Sequence, residues 1–463
     1  MRYISTRGGV APIPFSEAVL MGLATDGGLL LPTELPEVPA ATLAAWRQAD
    51  YPTLAAAVLG LFATDLPAAV LRDLVDRSYR VFRHPAVTPV VPCGDLFILE
   101  LFHGPTLAFK DVALQLLGHL FEHLLAERGG RLNILGATSG DTGSAAIHGV
   151  RGRERIAIFI LHPQGRVSRI QELQMTTVLD ANVHNIAVKG TFDDGQAIVK
   201  AIFGDLAFKE RHQLGAINSI NWARVLAQVV YYLYAAFRVQ EETAAAMVDF
   251  SVPTGNFGDI FAGHLARKLA GGAIGRLILA TNANNILARF VQEGVYAKGV
   301  VTPTISPSMD IQVASNFERY LYDLLDEDPR AVTEALAGFA ARGSLAIDSR
   351  RQERVRQDFA AAAVSEEETL ATIRKTYAGH GYLVDPHTAV GVAAGRRCRR
   401  PGVPLVCLAT AHPAKFGEAV TRAIGEPPPM PPALEGLAAL PSRCQVLPAD
   451  AGAVKAFLAA RAI

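Results

Sequence analysis

The sequence has few cysteines, no long apolar run and no excess of either charge. Its four cysteines, at positions 93, 398, 407 and 444, are scattered without a CxxC spacing. This argues against a disulfide framework or a zinc site and fits reduced thiols. Residues 1–7 contain no apolar signal core, and the longest apolar runs, 54–62 and 156–161, are too short to cross a bilayer. We therefore expect a cytoplasmic protein with no membrane partner.

The charge balance argues against general nucleic-acid binding. Lysine plus arginine and aspartate plus glutamate each number 44, so general nucleic-acid binding is not expected. The one basic run, 396–400, is interpreted as a solvated helix end. His119 and His123 have a helical i, i+4 spacing, but they lie on the polar side of an apolar stripe, so no metal site is predicted.

The chain of 463 residues exceeds what one hydrophobic core holds, so more than one domain is expected. Residues 1–90 alternate helical patterns with proline breaks, which predicts an N-terminal helical domain. From residue 91 short β runs alternate with helices, which is typical of mainly parallel sheets covered on both faces. Strands are predicted at 96–101, 132–135, 156–161, 183–188, 248–252, 276–281 and 404–409. The main helices are predicted at 112–127, 142–150, 193–204 and 221–240. Residues 310–375 are charged and helical and are interpreted as an insertion.

The segment 102–111, FHGPTLAFKD, places Lys110 at the junction of a loop and a helix. Gly104 and Pro105 predict a turn before it, and apolar neighbours on both sides predict a desolvated amine. Desolvation lowers the pKa of a lysine toward the neutral form that attacks carbonyl carbon. For this residue considered alone, the alternative is an ordinary lysine whose amine reaches solvent.

Two glycine-containing loops follow predicted strands. In 253–259, PTGNFGD, glycines at a strand-to-helix junction let backbone N–H groups approach a phosphate, and the helix N-terminus adds partial positive charge. In 137–143, ATSGDTG, hydroxyl side chains and N–H groups suit a carboxylate or a phosphate. The alternatives are a tight turn for the first loop and a helix cap without ligand for the second. The first loop lacks the GxGxxG pattern of a dinucleotide site.

The lysine segment resembles that of threonine synthases, which are pyridoxal-phosphate (PLP) enzymes of the tryptophan-synthase β fold type. Further similar stretches follow in order along most of the chain: GATSGDTGSAA (136–146), NSINWAR (218–224), VPTGNFGD (252–259), SMDI (308–311), SNFER (315–319), DPHTAVG (385–391) and TAHPAKF (410–416). The resemblance implies an α/β protein of PLP fold type II, with two α/β lobes of mainly parallel sheets around the cofactor cleft. We expect a catalytic domain at 91–463, with the lobe that carries the TSGDTG loop at about 130–205 and the larger lobe in the remainder.

The resemblance also assigns the residues that hold the cofactor. It implies that Lys110 binds PLP covalently and is the catalytic residue. The residues expected to hold the PLP phosphate form the first loop: Gly255, Asn256, Phe257 and Gly258. Thr410 is expected to face the pyridine nitrogen. Asp141 is expected either to cap the following helix or to orient the 3′ oxygen of the cofactor.

Substrate contacts are expected from the second loop and from NSINWAR. The residues implied for the substrate α-carboxylate are Thr138, Ser139, Gly140 and Thr142. Asn218 and Arg224 are the candidates for a substrate phosphate, because a guanidinium presents forked donors to phosphate oxygens. The alternative for Arg224 is a surface arginine that opens a long helix. Arg166, Arg169 and Arg319 remain open as further phosphate ligands.

The activity that the resemblance implies is that of a PLP-dependent carbon–oxygen lyase acting on phosphate, in the last step of threonine biosynthesis. The expected reaction converts O-phospho-L-homoserine and water to L-threonine and phosphate. A PLP-dependent phospho-lyase or dehydratase that gives 2-oxobutyrate is the alternative within the same chemistry, and a catalytically silent PLP-binding scaffold is the alternative outside it. The expected partner is the small-molecule substrate, and the protein is expected to be a monomer or a homodimer.

Overall fold

The computed structural model describes all residues, 1–463. The first part of the chain is mainly helical, as predicted, and adds one short antiparallel pair of strands. Its elements are β1 (Tyr3–Ser5), α1 (Phe15–Met21), β2 (Leu30–Pro32), α2 (Ala40–Arg47), α3 (Tyr51–Phe62) and α4 (Ala68–Tyr79). The pairing of β1 with β2 is antiparallel.

Strands and helices alternate through the middle of the chain. The elements between residues 90 and 243 are β3 (Val90–Cys93), β4 (Leu96–Glu100), α5 (Lys110–Arg128), β5 (Leu132–Ala137), α6 (Asp141–Val150), β6 (Ile156–Pro163), α7 (Arg169–Thr176), β7 (Val183–Lys189), α8 (Phe192–Gly204), α9 (Leu206–Arg211), β8 (Leu214–Gly215) and α10 (Trp222–Thr243). Those that follow are β9 (Val248–Pro253), α11 (Gly258–Leu269), β10 (Ile274–Thr281), α12 (Ile286–Glu293), β11 (Val295–Ala297), α13 (Phe317–Leu324) and α14 (Pro329–Arg342).

The last part of the chain completes both sheets. Its elements are β12 (Ser344–Ala346), α15 (Ser349–Asp358), β13 (Phe359–Ala363), α16 (Glu366–His380), α17 (Pro386–Cys398), β14 (Leu405–Ala409), α18 (Gly417–Ile424), β15 (Gln445–Pro448) and α19 (Ala451–Ala459). All seven predicted main strands and all four predicted main helices are present, with ends that differ by a few residues. None of the helices combines the length and apolar character that a membrane crossing requires.

Two sheets, largely parallel, form the framework. The larger has the strand order β13-β10-β9-β14-β4-β3, in which only β3 is antiparallel to its neighbour. The smaller has the order β15-β7-β6-β5-β8 and is parallel throughout. Every residue of β6 and β9 is buried, as expected for strands covered by helices on both faces.

The structure differs from the predicted division in two places. The region 310–375, interpreted as a helical insertion, also contains β13, which pairs with β10 and forms the edge of the larger sheet. The segment after residue 444 is predicted to belong to the larger lobe. Instead, β15 pairs with β7 in the smaller sheet. Both pairings join segments far apart in sequence, and neither short strand has a pattern that specifies its partner. The other domain boundaries stay predictions.

Helix α10 connects the N-terminal part to the framework. It is buried along most of its length and belongs to one core cluster with residues of α1, α3, α4, α5 and α11. Arg319, which is fully buried, donates to the carbonyl of Leu30 at 3.1 Å and to that of Ile220 at 2.6 Å. Arg319 therefore fixes the N-terminal part against the start of α10, and its donors are used in the core, not for a phosphate.

Candidate active site

The carboxyl ends of β5, β9 and β14 meet at one cleft. The carboxyl end of a parallel strand is where open α/β sheets bind their ligands. The cleft is lined mainly by residues of the loops and helices that follow strands of both sheets, among them Phe109, Lys110, Asp141, Thr142, Ser219, Arg224, Asp259, His387 and Thr410, with the turn 253–258.

Lys110 is the first residue of α5 and points into this cleft. The loop before it is fixed by the buried carboxylate of Asp111, which accepts from the amide and from the hydroxyl of Thr106, both at 2.8 Å. Leu107 in this loop has a φ of 59°, an unfavourable value for a branched side chain that the surrounding bonds hold in place. The amide of Phe109 donates to the carbonyl of Thr410 at 2.8 Å. The predicted loop-to-helix junction is thus observed, and it is tied to the end of β14.

The Lys110 amine is desolvated, as predicted. The residue is 8% exposed, and Nζ lies 4.7 Å from the centre of the Phe109 ring. Burial lowers the pKa of this amine, the Asp141 carboxylate raises it by attraction, and Lys415 and Arg224 lower it further by repulsion. The net effect is a pKa below the ordinary lysine value, which increases the neutral fraction that acts as a nucleophile or base.

Asp141 does not cap α6, one of the two roles predicted for it. It is the first residue of the helix, and its side chain makes no cap bond. Its Oδ1 accepts from Gln171 Nε2 at 2.8 Å and lies 2.8 Å from Lys415 Nζ, while Oδ2 lies 3.6 Å from Lys110 Nζ. Burial alone would raise the pKa of this carboxyl, but the two lysines and Gln171 outweigh it and keep the pKa below its usual range.

The turn 255–258 presents an uncapped helix N-terminus to the cleft. Phe257 has a φ of 65°, and α11 begins at Gly258 without any side-chain cap bond. The first N–H groups of α11 are therefore free for an anion. Gly255 is closely covered, because a Cβ added there would lie 2.6 Å from the carbonyl oxygen of Ser308. All four predicted residues of this turn line the cleft.

Asp259, the next residue of α11, is buried beside two tyrosines. The hydroxyls of Tyr231 and Tyr232 donate to its Oδ1 at 2.5 and 2.8 Å, whereas Oδ2 has no partner. Burial raises the pKa of this carboxyl to about 6, although the two tyrosines and the charge of Lys110 act in the opposite direction.

The loop 138–142 reaches the cleft with only part of its predicted ligand set. The Thr138 hydroxyl accepts from the amides of Gly140 and Gly143 at 3.0 and 2.8 Å. Thr138 thus organises the loop from inside, Ser139 is exposed, and Gly140 adopts a φ of 143°. Thr142 lines the cleft. The alternative of a helix cap without ligand stays open for this loop, because Thr138 bonds to an amide in the first turn of α6 while Thr142 faces the cleft.

Arg224 carries the clearest sign of an anion site. It lies in the first turn of α10 and is 4% exposed, yet its Nε and Nη1 make no hydrogen bond. Burial lowers the pKa of its guanidinium to about 10, and no carboxylate compensates for it. The alternative of a surface arginine is therefore wrong.

The second NSINWAR candidate is placed differently. Asn218 does not line the cleft, and its Oδ1 accepts from the amide of Ile220 at 3.2 Å within its own turn. Ser219 lines the cleft instead. Arg169 is paired with Glu172 on the surface. Because its side chain closes its own turn, Asn218 is a less favourable phosphate ligand than Ser219.

Thr410 and His387 complete the wall formed by β14 and α17. Thr410 directly follows β14, is 7% exposed and lines the cleft. His387, to which the sequence assigned no function, also lines the cleft. Its Nδ1 lies 2.7 Å from Asp385 Oδ2, and its Nε2 accepts from the amide of Ser308 at 3.2 Å. His387 therefore links the cap of α17 to the segment that covers Gly255.

Three family models match consecutive parts of the chain. The threonine synthase N terminus matches residues 2–79, the pyridoxal-phosphate dependent enzyme family matches 81–342, and the threonine synthase C-terminal model matches 388–458. The threonine synthase of Pseudomonas aeruginosa is 50% identical over 462 residues, which is 99% of this chain and 98% of that protein. The chain belongs to the threonine synthase family.

Solved structures of this family share the whole architecture. The PLP-bound threonine synthase from Brucella melitensis has a TM-score of 0.96 and 46% identity and covers 100% of this chain and 99% of its own. The threonine synthase from yeast has a TM-score of 0.95 and 44% identity, with 99% of this chain and 98% of that chain covered. The predicted family, the PLP fold type II architecture and PLP as the cofactor are confirmed.

The residues of the cleft fit PLP on three structural grounds. A threonine synthase cleft must offer an amine to an aldehyde, and Lys110 has a buried amine with a lowered pKa. It must offer donors to a phosphate, and the turn 255–258 has an uncapped helix N-terminus. It must also bring backbone close to a ligand, which the glycine at 255 permits.

Three side chains in or behind the cleft have no role in the sequence-based interpretation. Asp259 and His387 line the cleft, and Lys415 is buried behind it. All three lie within family-like stretches, Asp259 in 252–259, His387 in 385–391 and Lys415 in 410–416, and this is the only signal that the sequence offers for them. Lys415 comes into contact with Asp141 across 274 positions of the chain (415 minus 141), and no local pattern encodes such a pair.

Proposed function

We propose that this threonine synthase family member converts O-phospho-L-homoserine and water to L-threonine and phosphate, with PLP as its cofactor. One observation carries the proposal. A single cleft contains a buried amine with a lowered pKa, an uncapped helix N-terminus and a buried guanidinium with two unused donors. That set suits one aldehyde-bearing phosphate and a second, separate phosphate, which is what the cofactor and this substrate bring.

The cofactor is assigned to the Lys110 side of the cleft. Lys110 would bind its aldehyde carbon, and the N–H groups of the turn 255–258 would hold its phosphate. Thr410 lies at the end of β14 and would face its pyridine nitrogen, where a neutral hydroxyl does not enforce a positive charge. PLP, when bound, supplies the electron-accepting ring system for removing protons next to the substrate amine.

The substrate is assigned to the remaining polar groups. Arg224 would receive the substrate phosphate through Nε and Nη1, with Ser219 beside it. Thr142 and the backbone of Ser139 and Gly140 would bind the α-carboxylate at the start of α6, since Thr138 uses its hydroxyl to shape that loop. Asn218 is a weaker candidate than Ser219 because its side chain closes its own turn.

Lys110 is the group that moves protons. Once the substrate amine has displaced it, Nζ is free to take the α proton and then a β proton. Its lowered pKa increases the neutral fraction of the amine that can take these protons. Phosphate would leave from the γ carbon toward Arg224. The γ carbon and then the α carbon would regain the two protons that Lys110 took, water would add its hydroxyl at the β carbon, and the remaining proton of water would leave with phosphate.

The product distribution tests the proposed reaction. Purified holoenzyme is incubated with O-phospho-L-homoserine, and phosphate, L-threonine and 2-oxobutyrate are quantified in the same samples. Threonine equal to phosphate supports the proposal. Phosphate with 2-oxobutyrate instead indicates the phospho-lyase or dehydratase, and no phosphate indicates a silent PLP-binding protein.

A cytoplasmic location and a small-molecule partner belong to the same proposal. All four cysteines are free, and Cys444 is exposed, which suits a reducing compartment. The state in solution is proposed to be a monomer or a homodimer. Light scattering of the purified protein distinguishes these two.

A further inference from the structure

A second lysine lies fully buried behind the cleft. Lys415 belongs to the short helical turn Pro413–Phe416 that follows β14, and its side chain is 0% exposed. Its Nζ lies 2.8 Å from Asp141 Oδ1 and donates to the carbonyl of Thr106 at 2.7 Å. An ammonium group buried to this extent needs such partners, because an unpaired buried charge is strongly unfavourable.

Lys415 and Lys110 compete for one carboxylate. Asp141 lies 2.8 Å from Lys415 Nζ but 3.6 Å from Lys110 Nζ. Lys415 also has the Thr106 carbonyl as a second acceptor, whereas Asp141 is the only acidic side chain paired with Lys110. When two ammonium groups share one carboxylate in a buried site, the group with the longer contact and fewer partners loses its proton more easily.

We propose that Lys415 is a positioning residue: its ammonium group occupies Asp141 and thereby keeps the Lys110 amine in the free-base form. The inference rests on the proposed function only in requiring that Lys110 is the amine that binds PLP. A cationic group beside a lysine activates it as a nucleophile, because repulsion favours the neutral amine. Here the neighbour is anchored to the very loop that precedes the lysine it acts on.

The contacts of Lys415 also join three parts of the chain. Lys415 contacts Thr106 in the segment before Lys110 and Asp141 at the start of α6, the helix that follows β5 of the smaller sheet. It thereby links these two segments to the turn after β14. Gln174 donates to the same Thr106 carbonyl at 2.9 Å, and Gln171 donates to the same carboxylate at 2.8 Å. Loss of Lys415 would therefore change both the position of Asp141 and the charge that Lys110 experiences.

The other ionisable groups that face Lys110 do not replace Lys415. The set comprises Asp141 from α6, Lys415 from the turn after β14, Arg224 from α10, Asp259 from α11 and His387 from α17. Arg224 adds repulsion in the same direction, and Asp141 adds attraction. Only Lys415 acts both on Lys110 and on the carboxylate that would otherwise hold its proton.

The test uses the apoenzyme and measures how fast it binds PLP. Since only the neutral amine attacks the aldehyde, the rate of appearance of the bound-cofactor absorbance, measured from pH 6 to pH 10, reports the pKa of Lys110. The variants are Lys415→Met, which removes the charge, and Lys415→Arg, which retains it. The matched control is Gln171→Leu, which removes a neutral donor from the same carboxylate. Circular dichroism confirms that each variant is folded.

The expected result is an upward shift of the Lys110 pKa by at least one unit in Lys415→Met, which lowers the association rate below that pKa about tenfold. Lys415→Arg should restore the wild-type profile, and Gln171→Leu should shift it less than Lys415→Met. A uniformly slower reaction with an unshifted profile, or a downward shift, would overturn the proposal, because a purely structural lysine would act in that way.

The variant Asp141→Asn gives an independent test, because it should lower the Lys110 pKa instead of raising it. It removes the attraction that holds a proton on Lys110 while leaving both lysines, so the profile should move to lower pH. If Lys415→Met does not fold, an unchanged or raised Lys110 pKa in Asp141→Asn refutes the inference on its own. Covalent PLP binding by Lys110→Ala would instead refute the proposed function, so the two failures are distinguishable.

Discussion

Replacing Arg224 with methionine should abolish most of the activity and leave the ligand-free protein no less stable. Methionine keeps most of the length and apolar stem of arginine but none of its donors. In the protein without ligand, Nε and Nη1 of Arg224 have no partner although the side chain is buried. This arginine therefore contributes little to the fold and is available to a substrate phosphate.

The size of both effects follows from the structure. Burial lowers the pKa of Arg224 from the usual 12.5 to about 10, which corresponds to a penalty of about 3 kcal/mol for the charged form. Removing the charge should relieve part of that penalty. Two hydrogen bonds to a charged phosphate are together worth ~3–6 kcal/mol. The predicted loss in kcat/KM for O-phospho-L-homoserine is therefore about 10²- to 10⁴-fold.

Two measurements on the same preparations check the reasoning. Steady-state phosphate release gives kcat/KM, and thermal unfolding with and without inorganic phosphate gives stability. Wild-type protein should be stabilised by phosphate, the methionine variant should not, and Arg224→Lys should be intermediate because it retains charge without the fork. A methionine variant that unfolds at a clearly lower temperature, with kcat/KM within fivefold of wild type, would show that Arg224 is structural.

Three further outcomes are expected. Gly255→Ala places a Cβ 2.6 Å from the Ser308 carbonyl oxygen and should weaken PLP binding at least tenfold in a fluorescence titration, whereas Gly379→Ala, where a Cβ meets nothing within 4 Å, should leave binding unchanged. Because burial raises the Asp259 pKa from 3.8 to about 6, the folded state holds a proton that the unfolded state has lost, and wild-type stability should fall as pH rises from about 4 to 6. Asp259→Asn should then unfold at a higher temperature than wild type at pH 7, with the difference disappearing below pH 4; equal unfolding temperatures at pH 7 would count against this. Lys110→Ala should show no covalent PLP after denaturation and no threonine formation, and full activity would end the proposed mechanism.

The parts of the site that could be predicted are local in sequence. Lys110 and the turn 255–258 each lie within a short strand–turn–helix or loop–helix pattern, and glycine, proline and apolar neighbours encode such patterns directly. The strand β6 is recognisable because residues 156–161 form a continuous apolar run, as strands buried on both faces do. A family resemblance then joined these separate patterns into one cleft.

The parts that could not be predicted depend on contacts between distant segments or on local competition for hydrogen bonds. The ion pair of Lys415 with Asp141 and the pairing of β15 with β7 join positions far apart in the chain. Thr138 and Asn218 were assigned to ligands from their chemical type. Their side chains instead bond to backbone amides a few residues away, an alternative always open to threonine and asparagine.

The late pairing of the smaller sheet has a consequence for the growing chain on the ribosome. Strand β7 ends at Lys189, and its outer neighbour begins at Gln445, so translation needs roughly 10–50 s to supply that neighbour at ~5–20 residues per second. During this interval β7 is an edge strand, and its unpaired backbone N–H and C=O groups can pair with other nascent chains. Translational pausing between Lys189 and Gln445 should therefore promote co-aggregation on polysomes.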